Sequence, residues 1–131
     1  MVDTSVVIEL DRIAADQLPG EMAIASVTLA ELAAGPHATG DPIERARRQE
    51  RLQRAEVTFD AVPFDGEAAR AYGRVYAAVT AHGRKPRGRR AIDLLIAATA
   101  LATRLPLYTR NPTDFDGLEG LVDVVPVSAD Q

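Results

Sequence analysis

Four acids define the chemistry this chain could do: Asp3 in VDTS, Glu31 in SVTLAEL, Asp93 in RRAIDLLIAATA and Asp114 in TRNPTDF, with Asp116 two residues beyond. Carboxylates gathered at short range cannot all stay ionised; either a pKa rises or a cation binds. The chain has no cysteine, and its two histidines, His37 and His82, stand alone beside proline or glycine. Oxygen-only ligation of this kind selects a hard cation, Mg²⁺ or Mn²⁺, over zinc. An ion so held lowers the pKa of a bound water and clamps the oxygens of a phosphodiester during in-line displacement. Directly before Asp93, the segment Arg84 to Arg90 crowds in Arg84, Lys85, Arg87, Arg89 and Arg90, although the whole chain carries a net charge of −4. Positive charge placed there could hold a phosphate backbone beside the acids.

The acids meet only if the fold brings four separate segments together. Short β-like pieces alternate with helical ones along the chain, the pattern of βαβ units around a parallel sheet. Val2-Asp3 reads as the end of a very short first strand, with a helix from Thr4 to Arg12. Met22 to Ala25 is a second strand, followed by a helix from Ser26 to Ala34 that Gly35-Pro36 stops. A charged helix over Pro42 to Glu56 precedes a third, weaker strand over Val57 to Pro63. From Glu67 to Ala81, the residues Ala68, Tyr72, Val75, Tyr76 and Val79 form one apolar stripe at helical spacing. Ala91 to Thr103 is apolar nearly all round and is expected as a core helix. Leu105 to Thr109 and Asp123 to Val127 complete five strands. In such a sheet, loops and helix N-termini converge at the carboxyl edge, where ligands bind. Asp3, Glu31, Asp93 and Asp114 all map to that edge.

Each acid also has a local explanation. Asp3 can cap the helix at Thr4. Thr28 and Glu31 match a capping box. Asp93 can complement a helix dipole from the first turn, and Asp114 can close an Asx-type turn begun at Asn111. Four unrelated causes would then have to point to one place. The arginines of Pro42 to Glu56 read as a solvated face with the i,i+4 pairs Glu44–Arg48 and Glu50–Arg54.

Composition bounds the rest. The chain has 131 residues, 47% of them hydrophobic and 26% charged, as in an ordinary soluble domain. One domain over 1–131 is expected. The longest apolar run, Leu94 to Ala102 interrupted by Thr99, is far short of the roughly 20 residues a membrane span needs. An acid at position 3 and no basic n-region argue against a signal peptide. The lack of cysteine suits a reducing cytoplasm.

In order and spacing, VDTS, TLAEL, RRAIDLLIAATA and LYTRNPTDF resemble the PIN-domain ribonucleases, and among them the VapC-type toxins of bacterial toxin–antitoxin pairs. The resemblance covers about residues 2 to 127. It implies a three-layer α/β/α sandwich, Mg²⁺-dependent endoribonuclease activity (Mn²⁺ substituting), homodimerisation and inhibition by a small antitoxin. By motif match it implies Asp3, Glu31, Asp93 and Asp114 as the acidic site, Asp116 assisting or substituting for Asp114, and Ser5, Thr109 and Asn111 as polar supports. Members of that family usually carry several apolar residues before the DTS. Here only Met1 and Val2 precede it, so a clipped first strand is expected. A phosphoryl-transfer enzyme with an aspartyl nucleophile fits less well, because Asp3-Thr4-Ser5 offers no second acid and Lys85, the one lysine, precedes the core helix. The non-enzymatic alternative is a degenerate PIN-like domain that binds protein or RNA; the presence of all four acids weighs against it.

Overall fold

The computed structural model describes residues 1–130. Its strands are β1 (Ala23–Ala25), β2 (Asp60–Val62), β3 (Leu107–Thr109) and β4 (Val124–Pro126), with helices α1 (Thr4–Ile8), α2 (Ser26–Ala34), α3 (Pro42–Thr58), α4 (Gly66–Ala81) and α5 (Arg89–Thr103). Strands β1 and β2 pair in parallel, as do β3 and β4. The N-terminal residues join the two pairs. Val2 forms a parallel bridge with Tyr108, and its N–H donates to the Ala23 carbonyl at 2.9 Å. The spatial order is therefore β2, β1, Val2, β3, β4, with the chain order reversing between Val2 and β3. Open α/β sheets bind ligands at such a switch point.

The period of two along these strands produces the layers. Met1, Ala25 and Leu107 lie in one apolar core, with Val75 and Val79 of α4 and Leu94 and Ala97 of α5. Their neighbours Val2 and Ile24 point the other way, into a second core with Val6, Leu32, Ala55 and Phe59. Two cores on opposite faces of one parallel sheet make a three-layer α/β/α sandwich. Three- and one-residue strands suffice because helices cover both faces.

Helix boundaries follow local chemistry. The Asp41 carboxylate accepts the Ile43 N–H and Pro42 opens α3, where a missing donor costs nothing. Asp65 caps α4 by accepting from the Ala68 N–H at 3.0 Å. Helix α5 instead starts at Gly88, whose φ of 59° and ψ of −135° suit only glycine. Its Leu94, Ile96, Ala97, Ala98 and Ala100 are all buried. Each of the larger two contributes roughly 2 kcal/mol of apolar burial, and the alanines leave room for α4 to lie close.

Several boundaries differ from the sequence expectation. The helix expected over Thr4 to Arg12 stops at Ile8 and resumes as a 3₁₀ turn over Leu10–Arg12. Val57 and Thr58, expected in the third strand, are the last turn of α3 and are exposed. Nothing covers them, so the continuing helix wins over their β preference. The core helix begins two residues early, at Arg89.

Candidate active site

Asp3 ends the Val2 segment and is buried, 5% exposed. It caps α1, accepting the Val6 N–H at 3.2 Å on the same oxygen, Oδ1, that accepts the Ser5 hydroxyl at 2.6 Å. Its backbone N–H donates to the Tyr108 carbonyl. A residue fixed at both backbone and side chain cannot drift. Burial raises its pKa above the ordinary aspartate range, and the hydrogen bonds from Ser5, Thr109 and the Val6 amide hold that rise back.

The polar shell around Asp3 is built from β3 and the turn that follows. The Ser5 hydroxyl lies 3.5 Å from that of Thr109 and accepts the Arg110 N–H at 3.1 Å. Thr109, wholly buried, accepts the Asn111 N–H at 3.0 Å. Asn111 thus contributes through its backbone, and its exposed side chain caps nothing.

Glu31 sits on the sixth residue of α2, one and a half turns inside the helix. The capping-box explanation fails here: Thr28 is the third residue of α2, fully buried, and Ala25 is the N-cap. Instead, the Thr4 hydroxyl donates to Glu31 Oε1 and also lies 3.2 Å from the Thr28 hydroxyl. Arg89 Nη1 reaches Glu31 Oε2 at 3.1 Å. The sequence marks Thr4 only as a helix start and Thr28 only as a capping-box partner; their contact with each other and with Glu31 has no local signal beyond their spacing, one residue after Asp3 and three before Glu31.

Asp93 lies on the fifth residue of α5, past the first turn, so the helix-dipole explanation does not hold either. It is 9% exposed. Its pKa is pushed up to about 7, first by burial and then by the negative charge of Asp114, with Asp3 and Glu31 adding to it and Arg89 opposing. Asp93 therefore feels all three other acids. Asp114 reaches the group on a 3₁₀ turn, Pro112–Phe115, which a backbone bond from its own N–H to the Asn111 carbonyl closes, not an Asx side chain. Asp116 points elsewhere and pairs with Arg84 at 2.9 Å. Gly117, at φ 97°, turns the chain against His82, leaving no room for a Cβ.

The basic segment divides. Arg84 binds Asp116, Arg89 binds Glu31, and Arg90 donates to the Asp114 carbonyl at 3.2 Å. Lys85 and Arg87 are exposed and form no ion pair among the described residues. In α3 the Glu44–Arg48 pair is present at 3.1 Å, but Arg54 reaches Asp11 rather than Glu50.

As placed, no three acidic or histidine side chains among the described residues are drawn together tightly enough to hold an ion. The donor chemistry nonetheless fits a hard divalent cation. The donors are carboxylates, one of them, Asp93, buried and burdened by three like charges that a cation would relieve.

The fold is a three-layer α/β/α sandwich around a five-segment parallel sheet, and the PIN-domain family profile matches residues 1–120. The chain belongs to the PIN-domain family. Ribonuclease VapC5 of Mycobacterium tuberculosis is 33% identical over 127 residues, covering 95% of this chain and 90% of that protein. The crystal structure of VapBC-5 from the same organism, a member of the VapBC family of toxin–antitoxin systems, superposes with a TM-score of 0.84 at 34% identity, over 96% of each chain. FitAcB from Neisseria gonorrhoeae superposes with a TM-score of 0.74 at 27% identity, over 94% of each chain.

Proposed function

We propose that this chain is the toxin of a toxin–antitoxin pair and cleaves RNA as a metal-dependent endoribonuclease. The observation that carries the proposal is Asp93: a buried carboxylate at the sheet's carboxyl edge under the combined field of Asp114, Asp3 and Glu31. The resemblance to a named ribonuclease supports it. Asp3, Glu31, Asp93 and Asp114 would hold Mg²⁺, or Mn²⁺ in its place. A divalent ion bound there supplies Lewis-acid polarisation of the scissile phosphate and a water acidic enough to attack it.

The chain's own groups prepare that site. Ser5 fixes the rotamer of Asp3, and Thr4 fixes one oxygen of Glu31. The Ser5 hydroxyl donates to Asp3 and accepts the Arg110 amide, which fixes Asp3 in place; with water as the attacking group, no side-chain nucleophile would be needed. Lys85 and Arg87, exposed and without an ion pair among the described residues, draw the RNA backbone toward the acids. No helix of the described residues is long and apolar enough to cross a membrane. The proposal places the protein in the cytoplasm with its RNA. The half-buried Tyr72 and exposed Tyr76, 6.1 Å apart on α4, offer an aromatic face to a second copy in a homodimer.

Cleavage of RNA in Mg²⁺ or Mn²⁺, with and without chelator, tests the activity. Asp114→Asn is expected to slow it by about 100-fold, whereas Asp116→Asn, which removes a partner of Arg84 and no site carboxylate, leaves it within about threefold. A large loss in Asp116→Asn with a small one in Asp114→Asn would move the fourth ligand to Asp116. Cleavage indifferent to chelator would overturn the metal dependence.

The antitoxin has an available surface. A hollow of about 350 Å³ lies between α1 and α3, lined by Val7 and Phe59, by Arg47, Arg51 and Arg54, and by the acids Asp11 and Glu50. A second hollow, of about 220 Å³, shares Ile8 and Arg51 with it and ends at Thr4 and Glu31. A segment with apolar and acidic side chains lying along this trough would arrive at the acids. Ile8→Glu, at an exposed apolar position in the middle, is expected to weaken antitoxin binding at least tenfold without slowing RNA cleavage. A pull-down and a cleavage assay on one preparation check both.

A further inference from the structure

We infer that Arg89 is an internal counter-cation that holds Glu31 in the metal-free protein and must leave when a divalent ion enters. The inference rests on the metal-site reading above. Among the described residues, Arg89 is the one cation of the basic segment paired to a carboxylate of the four-acid group: its Nη1 lies 3.1 Å from Glu31 Oε2. Arg84 is paired to Asp116, and Arg90 to the Asp114 backbone carbonyl, so these two brace the segment against the Pro112–Phe115 turn. Arg89 braces nothing there.

The two partners are unequal. The Glu31 side chain is 15% exposed and also accepts from Thr4, whereas that of Arg89 is 65% exposed. The carboxylate is fixed and the arginine is free to swing. Arg89 opens α5, four residues before Asp93, so the two lie on the same face of the helix. The guanidinium touches Glu31, and its charge is also felt by Asp93, so it serves both carboxylates that a doubly charged ion would share. Both cations on one carboxylate would repel each other at a few ångströms. Both Glu31 oxygens are engaged, Oε1 by the Thr4 hydroxyl and Oε2 by Arg89.

The exchange also gives Arg89 a destination. Released from Glu31, a largely hydrated guanidinium beside Lys85 and Arg87 is placed to meet the phosphate that the ion draws in, where its forked donors suit phosphate oxygens. Arg89 is a positioning residue in the free protein and a substrate contact in the loaded one.

The test is Mn²⁺ titration of the full chain by calorimetry, with no RNA present. Arg89→Gln is expected to bind Mn²⁺ about tenfold more tightly than the parent, from loss of a nearby competing charge. Arg87→Gln, which removes an equal but unpaired charge two residues away, is expected to change affinity by no more than about twofold. In a Glu31→Gln background, Arg89→Gln should add little, because the contested carboxylate is gone. Equal effects of the Arg89 and Arg87 variants, or weaker binding by Arg89→Gln, would overturn the counter-cation while leaving the metal site standing. Failure of the parent and of Arg89→Gln alike to bind Mn²⁺ would overturn both.

Discussion

Asp93→Asn is expected to lower RNA cleavage by about 100-fold or more and, in chelator at pH 8, to raise thermal stability. The two effects run in opposite directions because one charge causes both. Asp93 is buried among like charges, and its pKa in the folded protein stands near 7, against an ordinary value of 3.8. A group whose folded pKa is raised stabilises the fold while protonated in both states. That contribution is full below about pH 4 and is lost as pH climbs through about 7. At pH 8 the folded state carries an ionised carboxylate it would rather not hold. Asparagine removes that cost, on the order of 2 kcal/mol, and should raise Tm by about 5 °C. At pH 4 the two proteins should melt nearly together. Thermal melts at the two pH values, beside the cleavage assay, check this. A variant less stable than the parent at pH 8 would mean that Asp93 is a structural residue and not one held ready for a cation.

The second large effect concerns metal affinity. Carboxylate ligands must be deprotonated to bind, so affinity depends on pH wherever a ligand titrates. With Asp93 near 7, Mn²⁺ affinity should be flat above about pH 8 and fall by up to about tenfold per unit below 7. The raised pKa of Asp3 steepens the fall further down. Binding at pH 6.5 should release about three-quarters of a proton, and binding at pH 8.5 close to none. Calorimetry in buffers of different ionisation enthalpy counts those protons. In Asp93→Asn the step near pH 7 should vanish, leaving the shallower dependence from Asp3. A titration independent of pH from 6 to 8 would contradict the raised pKa.

The legible parts of the molecule were those set by local pattern. Helix α5 could be read from the apolar run Leu94 to Ala102, broken only by Thr99, because burial there leaves almost no polar face to place. Helix α3 announces its start in Asp41-Pro42. The sheet order needs a tertiary fact, that Met1 and Val2 lie between Ala23 and Tyr108, and a two-residue strand carries almost no propensity signal of its own. Val57 and Thr58 misled because their β preference counts only where a neighbouring strand or core receives them. Along the acidic edge, convergence of Asp3, Glu31, Asp93 and Asp114 follows once the strands are ordered. The hydrogen bonds among them do not. Thr28 fitted a capping box three residues before Glu31, yet the helix begins at Ser26, which turns Thr28 inward to Thr4. The Arg89–Glu31 pair spans 58 residues of sequence, and no local rule links such partners. Likewise, Arg54 had a good i,i+4 partner in Glu50 but reaches Asp11, because α1 leads into that side of α3.

The central claim is that the acids at the switch point hold the divalent ion on which RNA cleavage depends. Crystals soaked in Mn²⁺ and measured for anomalous scattering test it most directly. The expected result is a peak bound by oxygens of Asp93 and Asp3, with Glu31 turned away from Arg89 toward the ion. An empty acidic edge in crystals of a protein that cleaves RNA equally well in chelator would contradict it.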